Sequence, residues 1–237
     1  MHYGFGYYWS VWDLLVVPGI LLGLYAHFKL TSTYNKYLEV PAQTGLSGAE
    51  AARQILDSAG LTDMPIEVTE GHLSDHFDPM KKALFLSEEN YAGRSISAVS
   101  VAAHEAGHAL QQQAAYAMFN LRMMLVPATK FASVAWIGIF ILAMILRGPY
   151  YGKLIGVAIG IFSVMTLFQV ITLPVEYDAS RRAKVQLLNL GLVTSAEGDG
   201  VNKVLNAAAM TYVAGMLTSV LELLKLIMIA NSGRNRD

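Results

Sequence analysis

The chain has no cysteine. Disulfides and thiolate metal sites are therefore excluded, and any bound metal must use His, Asp or Glu. Charge is scarce as well: 15% of the 237 residues are charged and 54% are hydrophobic, where a soluble domain usually carries about 25% charged residues. The deficit is concentrated in runs, which points to membrane spans rather than a greasy globule. The net charge is −1, so the basic excess that nucleic acid demands is missing, and no nucleic-acid partner is expected. No Lys or Arg precedes the first apolar run, so the run does not read as a cleaved signal peptide.

Four runs approach the roughly 20 apolar residues needed to cross a bilayer: residues 9–28, 123–146, 154–173 and 206–230. The first follows Tyr7 and Tyr8, which suit an interfacial belt. It is interrupted only by Asp13, and Pro18-Gly19 is a candidate kink. The second takes in Lys130, whose amine can snorkel to an interface. The third is uncharged. The fourth holds Glu222 and Lys225, three apart on one helix face and able to pair; a structural pair is preferred to an ion path. Small residues recur at every fourth position, as Gly152, Gly156 and Gly160 in the third span and Ala207, Thr211, Gly215 and Ser219 in the fourth. Packing within one bundle is preferred to a seam between copies. Basic residues favour one side: Lys29, Lys36, Arg53, Lys81, Lys82, Arg94 and Arg122 before span two, and Arg181, Arg182, Lys184 and Lys203 before span four, against Arg147, Lys153, Arg234 and Arg236 opposite. The richer side should be cytoplasmic.

Residues 29 to about 100 read as soluble. Ser47-Gly48-Ala49-Glu50 is a capping-box pattern opening a helix that ends at Gly60. Ile66-Glu67-Val68 and Leu84-Phe85-Leu86 read as two short strands, with Asp75-His76-Phe77-Asp78-Pro79 a turn-rich connection between them. An Ala-rich helix is expected over residues 96–116.

That helix carries His104-Glu105-Ala106-Gly107-His108. Two His at i and i+4 lie one turn apart on one face, where a single tetrahedral ion can accept both imidazoles. Glu105 projects toward the same side and can take a proton from a water the ion activates. A chain of this composition would hold the pattern roughly 0.006 times by chance. A catalytic zinc site wants three protein ligands and one open position. No His follows the motif. A carboxylate from a second helix is the alternative, and Glu176 fits: it lies 68 residues after His108, beyond two spans that return the chain to the same side. Pro174 reads as a helix start. Asp178 is the rival ligand; it would point away from Glu176, and reads as either an outer partner of His104 or His108 or an N-terminal carboxylate favoured by the helix dipole. For a donor to a transition-state oxyanion the candidates are Arg181, Arg182, Tyr177 and His76, in that order, although an interfacial basic patch is the preferred reading of the arginine pair. The strand pair offers an edge for an extended substrate.

The stretch from Gly93-Arg94-Ser95-Ile96-Ser97 through Val101-Ala102-Ala103 and the His pair to Ala109-Leu110-Gln111 resembles the bacterial membrane-bound neutral zinc metallopeptidases of the YugP-like type. So do Leu173-Pro174-Val175-Glu176-Tyr177-Asp178-Ala179-Ser180-Arg181-Arg182-Ala183 and the Asp75 to Pro79 segment. The resemblance covers nearly the whole chain. It implies a gluzincin-like site with His104, His108 and Glu176 as ligands and Glu105 as general base. More distantly the chain is similar to the HtpX and CAAX-processing membrane peptidases, in which the ligand Glu is followed four residues later by Asp. Ser180 stands there in this chain, which makes Asp178 the candidate replacement.

The expected protein is mainly α and membrane-embedded, with about four transmembrane helices and a small α+β gluzincin-like zinc peptidase region built from a short strand pair and a zinc-binding helix. The expected divisions are an N-terminal transmembrane helix (1–28), a peptidase region (29–122) with its zinc helix at 96–116, a transmembrane hairpin (123–173), a ligand-bearing helix and loop (174–203), and a C-terminal transmembrane helix and tail (204–237). The expected function is a zinc endopeptidase with one Zn²⁺ per chain, multi-pass in the cell membrane with a cytoplasmic active site. Its expected partners are the lipid bilayer and a protein or peptide substrate, with a homo-oligomer or a regulatory membrane partner left open. A zinc hydrolase of a non-peptide bond and a non-catalytic metal-binding scaffold are the alternatives.

Overall fold

The computed structural model describes residues 11–146 and 150–234; Tyr7, Tyr8, Trp9, Arg147 and Arg236 lie outside the described residues. After a 3-10 helix at Val11–Val16, the elements run α1 (Val17–Leu38), α2 (Gly48–Ser58), β1 (Ile66–Thr69), β2 (His76–Asp78), β3 (Ala83–Ser87), α3 (Glu88–Ala92), α4 (Ile96–Gln113), α5 (Ala117–Leu146), α6 (Tyr151–Asn189) and α7 (Gly198–Arg234). Among the described residues, four helices are long and apolar enough to cross a membrane, over Trp12–Leu38, Ala117–Ala143, Tyr151–Asn189 and Gly198–Asn231. The protein is thus mainly α and membrane-spanning, with one small sheet.

The chain divides into two compact units, and the long helices contribute residues to both. One unit comprises the described parts of Met1–Leu24, Met124–Val170 and Val213–Asp237. Its surface carries large apolar side chains such as Leu14, Leu21, Phe131 and Val134, as expected where lipid rather than water is the solvent. Inside it, Trp136 meets Phe162 edge-on at 5.1 Å. Thr166 Oγ1 lies 3.0 Å from Ser219 Oγ, and a Cβ added at Gly215 would touch the Gln169 side chain at 3.6 Å. The small-residue stripe of α7 therefore does pack within the bundle. The stripe of α6 does not: a Cβ at Gly152, Gly156 or Gly160 would meet nothing within 4 Å among the described residues. Lys225 pairs with Glu222 at 2.7 Å, as their spacing on one helix face anticipates, and also reaches Asp13 at 3.7 Å.

The second unit, Tyr25–Met123 with Ile171–Tyr212, holds the sheet and α4. Its core gathers Ile55, Leu56, Leu84, Leu86, Ile96, Val99, Val175 and Leu187, each such burial stabilising by about 1.5–3 kcal/mol. The capping box forms as the sequence indicates: Glu50 N–H donates to Ser47 Oγ at 3.2 Å, and Ser47 N–H donates to Glu50 Oε2 at 2.7 Å. The sheet departs from expectation. It has three strands in the order β1-β3-β2, with β1 parallel and β2 antiparallel to β3. The two strands read from sequence are thus parallel neighbours rather than a hairpin, and the supposed turn at His76–Asp78 is the third strand. Ladder hydrogen bonds to β3 hold this three-residue segment extended, and its own composition carries no strand pattern.

α4 is buried on nearly every face, and its many buried Ala, Ser and Gly positions let other elements approach closely. A Cβ at Gly107 would lie 2.5 Å from the Ala179 carbonyl oxygen of α6. The helix stops at Gln113, three residues before the expected end. Ala115 turns into the left-handed region at φ 49°, and Tyr116 N–H caps the Gln111 carbonyl at 3.0 Å. Pro174 is not a helix start: it lies inside α6. A mid-helix proline removes one backbone bond at a cost of about 3 kcal/mol; burial of Ile171, Val175 and Ala179 on the same helix offsets it.

Candidate metal centre

His104 and His108 occupy successive turns of α4, their ring centroids 4.8 Å apart. α6 brings Glu176 against them. Glu176 Oε2 lies 3.2 Å from His104 Nε2 and 3.4 Å from His108 Nε2. The three groups offer one ligand atom each, all within 4.8 Å of one another, and could hold a metal ion. Two ligands bound tetrahedrally at about 2.0–2.1 Å stand about 3.3 Å apart. The two carboxylate–imidazole separations match that edge, and two imidazoles with one carboxylate are donors that zinc accepts.

Each of the three groups has an outer partner. His104 Nδ1 lies 3.1 Å from Ser180 Oγ. His108 Nδ1 lies 3.0 Å from Gln111 Oε1. Arg122, at the start of α5, donates from Nη1 to Glu176 Oε1 at 2.8 Å. Glu176 itself is only 1% exposed, and a carboxylate this deep needs such a cation. Glu105 is buried in the same place. Burial pushes its carboxyl up to about 7; the charges of Glu176 and Asp75 push the same way, and that of His104 opposes. Tyr212 on α7 lies close enough to Glu176 and Glu105 for both charges to bear on its phenol.

The fold therefore brings together His104, Glu105, His108 and Glu176. It places the other sequence candidates differently. Asp178 contacts neither imidazole; it accepts from Gln111 Nε2 at 2.9 Å, from Arg182 Nε at 2.6 Å and from Arg181 Nη2. Both arginines are thereby committed to Asp178 rather than aimed at the ligand cluster. Tyr177 is 48% exposed. His76 on β2 stacks on Phe85 at 4.9 Å and bonds through Nδ1 to the Ser74 carbonyl at 2.9 Å. Sequence reasoning passed over Gln111, Arg122 and Tyr212, and set Ser180 aside in favour of Asp178 although it noted its place four residues after Glu176. Helical spacing could have found Gln111, which is i+3 from His108. Arg122 and Tyr212 carry no local signal.

Four membrane-length apolar helices and a buried His–His–Glu cluster define a membrane protein with the donor set of a metal site. The chain belongs to the family described as "Putative neutral zinc metallopeptidase", whose profile matches residues 12–231. It is 47% identical over 223 residues to the Bacillus subtilis (strain 168) protein named "Putative membrane protease YugP", covering 94% of this chain and 98% of that one. No solved structure matches the chain.

Proposed function

We propose that the protein is a membrane-embedded, zinc-dependent endopeptidase of gluzincin type, holding one zinc through His104, His108 and Glu176. The observation that carries this reading is the convergence of those three groups beside a buried Glu105. When bound, zinc supplies Lewis acidity that polarises a carbonyl and acidifies water. The remaining work falls to side chains. The Glu105 carboxylate takes a proton from the attacking water and passes it to the nitrogen of the departing amine. One carboxylate can serve both halves of that transfer, as base and then as acid. Arg122 balances the charge of Glu176 and holds its outer oxygen. Tyr212 is the preferred hydrogen-bond donor to the oxyanion, because Arg181 and Arg182 are held by Asp178. The excess of Lys and Arg in residues 29–122 and 174–203 favours a cytoplasmic site, and the protein or peptide substrate meets it there.

The test is a pair of measurements on detergent-purified protein. Wild type should carry one zinc per chain and cleave casein or a membrane-derived peptide. Glu105→Gln should keep the zinc and lose cleavage. Absence of zinc after metal reconstitution, or full cleavage by Glu105→Gln, refutes the reading.

A further inference from the structure

A histidine bound to a metal usually donates its other ring N–H to a carboxylate, a backbone carbonyl or water. Behind His108 stands a primary amide instead, that of Gln111. An amide can present either its oxygen or its nitrogen, so by itself it does not choose between the two neutral forms of the ring. Its far end makes the choice. Gln111 Nε2 lies 2.7 Å from the Val175 carbonyl oxygen and 2.9 Å from Asp178 Oδ2. Both of those groups only accept. Gln111 is fully buried, at 0% exposure, so water cannot replace either bond. The NH₂ group must therefore face α6, and Oε1 must face His108 Nδ1 at 3.0 Å. An amide oxygen only accepts, so Nδ1 must carry the hydrogen.

We infer that Gln111 is a positioning residue that locks His108 in its Nδ1–H tautomer and commits the Nε2 lone pair to the metal, with Val175 and Asp178 setting the lock from one residue further out. This rests on the metal-centre reading given above. Arg181 and Arg182 keep Asp178 in place as an acceptor. His104 is governed less strictly: Ser180 Oγ, its partner at 3.1 Å, can donate or accept, and fixes no tautomer. The two imidazoles are thus controlled unequally although they share one helix face.

The test compares four full-length proteins in detergent: wild type, Gln111→Met, Gln111→Glu, and Gln111→Glu combined with Asp178→Asn. Zinc affinity is measured by chelator competition, and the His108 tautomer by ¹⁵N NMR of ring-labelled, zinc-free protein at a pH where the ring is neutral. Gln111→Met fills the space without an amide and should weaken zinc about 10–100-fold, with both tautomers of His108 populated. Gln111→Glu sets a carboxylate against two acceptors and should lose affinity similarly. Adding Asp178→Asn returns a donor to that pair and should recover most of the loss, which a space-filling role would not produce. Gln111→Met with wild-type affinity and a pure Nδ1–H ring, or a double variant no better than Gln111→Glu, overturns the lock. If wild type itself binds no zinc, the metal reading fails, and the tautomer measurement still decides the role of Gln111.

Discussion

Arg122 Nη1 lies 2.8 Å from Oε1 of Glu176, while Oε2 of the same carboxylate faces the Nε2 atoms of His104 and His108. One carboxylate is thus divided between a fixed cation and the ligand cluster. The arginine orients the carboxylate and balances a charge that is expensive to bury alone. Replacing Arg122 by Gln should weaken zinc binding by about tenfold or more. Competition with a chelator measures this, and wild-type affinity would show that the contact does nothing for the site.

Glu176→Ala removes the carboxylate from the cluster and leaves two imidazoles. The purified variant should contain well under one zinc per chain by elemental analysis. An unchanged stoichiometry would take Glu176 out of the ligand set.

Tyr212→Phe deletes a hydroxyl and little else. If that hydroxyl steadies the oxyanion, turnover should fall by about 10²-fold while zinc content stays at the wild-type level. Equal turnover in the two proteins would return the donor role to another group.

Gly107→Ala tests the helix contact that brings Glu176 to the His pair. The new Cβ would sit 2.5 Å from the Ala179 carbonyl oxygen, a backbone atom that cannot rotate away. The substitution should destabilise by about 1–3 kcal/mol, read as an earlier thermal transition, and should lower zinc affinity as α6 is pushed from α4. A melting curve and zinc affinity like those of wild type would show that the helices separate at no cost.

Much of the architecture is legible in the residue order because its signals are local. Apolar runs of membrane length mark the four long helices, Ser47 and Glu50 mark the start of α2, and the i, i+4 spacing places His104 and His108 on one face. Glu176 is legible by a slightly longer argument, since two membrane crossings return it to the side of the His pair. The third strand at His76–Asp78 is not legible, because a three-residue segment becomes a strand only through its pairing with Ala83–Phe85. Pro174 misleads for a related reason: its local preference is to begin a helix, and packing on both sides of it in α6 overrides that preference.

The sequence by itself therefore determined a chain of membrane-spanning helices with a His–Glu–x–x–His helix and two carboxylates, Glu176 and its rival Asp178, on the stretch that returns to it, since period, length and spacing are properties of short segments. Only the tertiary structure decided which groups surround that cluster. Arg122 comes from the start of α5 and Tyr212 from α7. Gln111 is turned by Val175 and Asp178, and Arg181 and Arg182 are drawn off by Asp178. Hydrogen-bond partners within about 3 Å are set by how helices pack, and residues tens of positions apart leave no mark of that packing in their order along the chain.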